Sequence, residues 1–168
     1  MAEDSDQDII EPEVETAIRA DLSEKRVNRF YDRIRSKIIR AVEAKGSKLG
    51  RKGDFLLLAP DVFILLFRLF TDDRVTAKNK ALLGSGLAYF IFPLDVVPEA
   101  VFGPIGFLDD LVFGVYILNK MLTDTDEEIL REHWSGDMDL LAMIRKVLTS
   151  AEKLVSRQFV DRIRKMVG

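Results

Sequence analysis

The sequence predicts an all-α protein: a compact helical bundle around a central apolar helical hairpin, with amphipathic basic helices on its flanks. Three observations predict it. Apolar residues recur at steps of three and four through most of the chain, the spacing of one helical face. Sustained period-two alternation bounded by turn residues, the mark of a strand, occurs nowhere. From Phe55 to Leu122 the apolar density rises again, but prolines and acids divide it into short pieces.

Residues 1–22 hold eight acids, few apolar residues and only a thin stripe of Val14, Ile18 and Leu22, so they are expected as a disordered acidic tail. Residues 23–168 are expected as one helical domain with its core at 55–122. From Ser23, Val27, Phe30, Tyr31, Ile34, Ile38 and Val42 line one face of a helix, and Arg26, Arg29, Arg33, Lys37 and Arg40 lie on the rest of that cylinder. Gly46 stops it, and Gly46, Gly50 and Gly53 among four bases read as a flexible basic loop. Pro60 suits the start of a helix to about Thr71. Asp72 and Asp73 supply a turn and a cap for a helix from Val75 to Phe92, ended by Pro93 because the residue before proline avoids α geometry. Residues 93–106 carry three prolines and two glycines, too many for a regular element, and Phe107 to Leu122 follow as a third apolar helix. Thr125 with Glu128 reads as a capping box for a short helix to Trp134. Ser135 is a cap for one long last helix, striped from Leu140 to Ile163.

The net charge of −3 hides a segregation. Residues 1–24 carry nine acids and one base; residues 25–52 carry eleven bases and two acids. The absence of cysteine excludes disulfides, thiolate zinc sites and cysteine nucleophiles. The acidic start lacks the order of a secretory signal.

The segment Tyr89 to Lys120, YFIFPLDVVPEAVFGPIGFLDDLVFGVYILNK, resembles the YkvA-like family. The resemblance rests on Tyr89 ending an apolar helix, on Pro93, Asp95, Pro98 and Glu99 in the P-x-D-x-x-P-[ED] order, and on Gly106, Asp109 and Asp110 opening the next helix. With the preceding helix it covers roughly residues 61–121. Glu99 departs from the aspartate more usual there, keeping the charge with a longer reach. The resemblance implies a small helical domain, often suspected of membrane association, with no established activity.

Asp95, Glu99, Asp109 and Asp110 fall in the most apolar part of the chain, where a buried unpaired carboxylate costs several kcal/mol. One reading gathers them around a hard divalent cation such as magnesium or calcium, with hydrolytic chemistry as an extension. The other is capping: Asp95 for a turn over Val96 to Ala100, and Asp109 and Asp110 for orphan amides at a helix start. With four acids, no histidine among them and no adjacent base, capping is the stronger expectation; Arg68, Arg74, Lys78 or Lys80 could pair with one of them. His133, the sole histidine, reads as a helix-end residue, GSKLGRKG lacks the order of a phosphate loop, and Ser85 has no basic companion nearby and suits close helix packing. No catalytic set and no resident cofactor is therefore expected.

A spanning helix needs about 20 apolar residues. Ala81–Leu94, Phe55–Phe70 and Ala100–Leu118 are each too short or carry charge within. The basic amphipathic helices at 25–45 and 145–168 suit an anionic lipid surface, or else pack their stripes on the hairpin and leave the bases in solvent. The functional expectation is a non-enzymatic, membrane-associated helical module on the cytoplasmic side, with Arg26, Arg29, Arg33, Lys37 and Arg40 facing lipid. The alternatives are a soluble cytoplasmic domain with the cation site, and a soluble protein-binding domain. Nucleic acid is the weakest partner, because the chain is acidic overall and carries no reading motif.

Overall fold

The computed structural model describes residues 24–45, 50–96 and 106–168. Among them the regular structure is helix, with no strand: α1 (Glu24–Lys45), α2 (Arg51–Leu56), α3 (Ala59–Phe70), α4 (Ala77–Val96), α5 (Gly106–Asp124), α6 (Glu127–His133), α7 (Leu140–Leu154) and α8 (Arg157–Val167). Residues 1–22, the expected acidic tail, lie outside the described residues, as do Pro98 and Glu99.

The centre is α3, α4 and α5 packed against one another. Pro60 stands in the first turn of α3, where its missing N–H costs nothing. Val62 to Leu66, Leu69 and Phe70 are all buried, so α3 is covered nearly all round, as its composition requires. Glycines let the three helices approach. A Cβ on Gly86 would lie 2.9 Å from Ile117 Cδ1, and one on Gly114 3.0 Å from Val62 Cγ1 and 3.2 Å from Leu66 Cδ1. Small residues around Ser85 thus serve close packing, as the sequence suggested. Aromatic pairs complete the layer: Phe63 meets Phe90 edge-on at 5.4 Å and Tyr89 meets Phe113 at 4.8 Å.

The outer helices spend their apolar stripes on this core. Val27, Ile34 and Ile38 of α1 are buried, and the Phe30 ring lies 4.9 Å from that of Phe63 on α3. On the opposite side α7 and α8 cover α5 through buried Met143, Ile144, Val147, Val160 and Ile163. Each aliphatic side chain so covered contributes about 1.5–3 kcal/mol.

Four expectations are corrected. The basic loop is partly helix: Gly50 takes a left-handed φ of 53°, and burial of Phe55 and Leu56 draws Arg51–Leu56 into a turn packed on α5. The helix expected to stop before Pro93 runs on to Val96. Proline removes one ladder hydrogen bond there, and only the final turn lies beyond it. The caps of the later helices shift to Asp126, whose side chain accepts from the Glu128 amide, and to Asp139, which accepts from the Ala142 amide. Carboxylates next to the helix dipole displace Thr125 and Ser135 from that role. Finally, the long last helix is two. Val155 is extended (φ −134°, ψ 168°), and Ser156 Oγ accepts the Phe159 amide at 3.2 Å to start α8.

Candidate functional site

The carboxylates of the proline-rich junction are placed by two helix ends. Asp95 lies in the last turn of α4, with its side chain outside the described residues, and Gly106 is the first residue of α5. Asp109 and Asp110 are therefore the fourth and fifth residues of that helix. Neither carboxylate accepts an amide among the described residues, which corrects the hydrogen-bonding part of the capping expectation. Asp109 still lies in the first turn, where the helix dipole favours negative charge.

Asp110 is 7% exposed, and among the described residues nothing hydrogen-bonds to it or to Asp109. Burial, and then the charge of Asp109, push its carboxyl well above the usual carboxylate range. Burial alone raises Asp109, which is half-buried. Arg68 and Arg74 do not come to their aid; both are committed elsewhere. Among the described residues no three acids or histidines come together around a common point.

Tyr89, the motif's aromatic residue, packs α4 on α5 and is a structural element. Buried Asn79 ties the start of α4 to the end of α5, its Nδ2 donating to Thr125 Oγ1 at 3.0 Å, while its Oδ1 has no partner among the described residues. On the other side of α3, Tyr31 of α1 donates to Asp61 Oδ1 at 3.5 Å. Burial raises the Asp61 carboxyl above its ordinary value, against the opposing effect of that hydrogen bond.

Sequence reasoning missed a charge clasp. Asp72, at the α3–α4 turn, accepts the Arg74 amide at 2.8 Å, the Arg74 guanidinium at 2.8 Å and His133 Nε2 at 2.7 Å. Arg74 reaches on to Glu132 at 2.7 Å, and Arg68 Nη1 donates to the His133 carbonyl at 2.9 Å. These bonds fix α6 to the end of α3. Hydrogen bonds from Arg74 and then His133 hold the Asp72 carboxyl far below the usual range. Replacing Asp72 with alanine is expected to destabilise the chain by about 1–3 kcal/mol, since the bonds from the Arg74 amide, from Arg74 Nε and Nη2 and from His133 are lost together. Urea titration at neutral pH measures it. No local signal foretold a contact between residues 61 positions apart.

The basic stripe of α1 is the other feature. Arg26, Arg29, Arg33, Lys37 and Arg40 follow one another at steps of three and four, within an arc of about 80° at 100° per residue. Asp32 and Glu43 fall on the other flank of the helix. Arg29, Arg33 and Arg40 are exposed, while the apolar stripe beside them is turned into the core. Arg26 and Lys37 each make a further interaction within the chain.

Among the described residues these features are those of an all-helical protein, and part of its central hairpin is similar to a family with no assigned function. A family described as "Protein of unknown function (DUF1232)" matches residues 79–114, from buried Asn79 through the α4–α5 junction to Gly114. The chain is also similar to "Uncharacterized protein ORF9" of Methanothermobacter thermautotrophicus, with 23% identity over 104 residues, 62% of this chain and 71% of that protein. No solved structure matches.

Proposed function

We propose that this protein is a non-enzymatic helical module that attaches to anionic membrane surfaces by charge, through the basic stripe of α1. The observation that carries this reading is the division of α1. Arg29, Arg33 and Arg40 are exposed together, whereas Val27, Ile34 and Ile38 are 2%, 0% and 0% exposed. Insertion of that apolar stripe into lipid would mean peeling α1 from α3 and uncovering Phe63, against about 5–9 kcal/mol of burial in the three aliphatic side chains alone. Basic residues at an anionic surface contribute about 1 kcal/mol each without any unfolding. Among the described residues no helix is long and apolar enough to cross a membrane, and only Leu57 and Met166 are large exposed hydrophobics. The likeness of Tyr89–Lys120 to the YkvA-like family, with its suspected membrane association, agrees with this reading.

Sedimentation with phosphatidylserine-containing vesicles at low salt tests it. The triple variant R29E/R33E/R40E reverses three exposed charges without touching the core, and is expected to lose binding by about 100-fold or more. Equal binding by the variant, or no binding by the natural chain, would overturn the reading.

One observation favours a second reading. Asp110 is a buried carboxylate beside Asp109 with no partner among the described residues, and an oxygen pair of this kind suits a divalent cation. Calcium or magnesium would then stabilise the natural chain and leave Asp110→Asn unchanged.

A further inference from the structure

We infer that the acidic segment of residues 1–22 is the intramolecular occupant of the basic stripe on α1, competing there with external anionic surfaces. The competition rests on the membrane reading above; the docking itself does not. The segment holds Glu3, Asp4, Asp6, Asp8, Glu11, Glu13, Glu15 and Asp21 against Arg19 alone, and it is joined directly to the start of α1. The stripe it faces is of opposite sign, with Arg29, Arg33 and Arg40 exposed and the neighbouring acids Asp32 and Glu43 on the far flank.

Reach and concentration both favour this pairing. A chain of 22 residues extends to about 70 Å, whereas α1, at 1.5 Å per residue, is about 33 Å long, so the acids can run back along its whole length. Tethering so close sets an effective concentration on the order of millimolar. Charge and distance along the chain also decide which basic helix the segment meets. The other exposed basic helix, α8, carries Arg157, Arg162, Arg164 and Lys165, but Arg164 lies beside Asp161 at 3.8 Å, and α8 is at the distant end of the sequence.

The absence of cysteine makes the test clean, because Ser5→Cys is then the single attachment point for a spin label on the full chain. At low salt the label is expected to broaden the amide signals of α1 between Arg29 and Arg40, and at about 1 M salt, where the Debye length is about 3 Å, the broadening should vanish. A companion full-length variant converts the seven acids from Glu3 to Glu15 into their amides. It is expected to bind phosphatidylserine vesicles roughly threefold to tenfold more tightly than the natural chain, because the competitor is gone. Absence of low-salt broadening overturns the docking whatever the vesicles do. Broadening with no vesicle binding by either protein upholds the docking and removes the membrane reading. Broadening with equal vesicle binding by the two proteins overturns the competition.

Discussion

Gly114→Val is expected to destabilise the fold by about 3 kcal/mol and lower Tm by roughly 6–12 °C. A Cβ at this position falls 3.0 Å from Val62 Cγ1 and 3.2 Å from Leu66 Cδ1, both on α3. Val62 is β-branched and stiff at χ1, so it cannot swing aside, and both methyl neighbours are fully buried. The two further methyl groups of valine must enter a core already at close-packed density. Gly114→Ala separates the packing effect from the backbone effect. Alanine regains about 1 kcal/mol of helix propensity, which offsets part of its single clash, so it should lie well above valine in stability. Thermal and urea unfolding of the two variants measure this; equal stability for glycine and valine would show that the three helices do not meet at this point.

The second large effect concerns Asp110. Its folded pKa is raised by burial and by Asp109, so it stabilises the chain least when ionised. The contribution is most favourable below the ordinary carboxylate range and declines as pH rises through it toward the folded value. Asp110→Asn removes this decline. It is expected to raise stability at pH 7 by about 1–3 kcal/mol, with the gain disappearing at about pH 2.5, where the natural carboxyl is protonated in both states. Asp72 works in the opposite sense. Its carboxyl is depressed by Arg74 and His133, so its contribution is present above the ordinary range and lost as pH falls toward the folded value. Acid unfolding therefore reports Asp72, while the loss on moving from acid toward neutrality reports Asp110. Stabilisation of the natural chain by calcium or magnesium, with Asp110→Asn left unchanged, would instead select the cation reading.

Much of the fold was legible because the signals were local. Pro60 placed the start of α3, the stripe from Val27 to Val42 placed α1, and the apolar density of 55–122 placed the core. The break between α7 and α8 was hidden because Val155 and Phe159, four residues apart, keep the stripe in phase across it. Only Ser156 marked the cap, and serine is common within surface helices as well. The length of α4 was misjudged because the rule at proline describes a bias at one residue, not the packing of a whole helix. The site was legible in composition and not in register. Asp109 and Asp110 were expected to serve amides at a helix start, but α5 begins at Gly106, one residue before the expected Phe107, which leaves Asp109 half-buried in its first turn and Asp110 buried behind it. The clasp of Asp72 with His133 depends on how α6 returns to α3, which no short window contains.

Release of the bound protein from phosphatidylserine vesicles by salt tests attachment through the α1 stripe most directly. With α1 folded on α3 and only its charges offered to lipid, the chain should bind at about 0.05 M salt and be freed at about 0.5 M, as the Debye length shrinks below the spacing of surface charges. Retention at high salt, with release only by detergent, would mean that apolar surface enters the bilayer and would contradict the account.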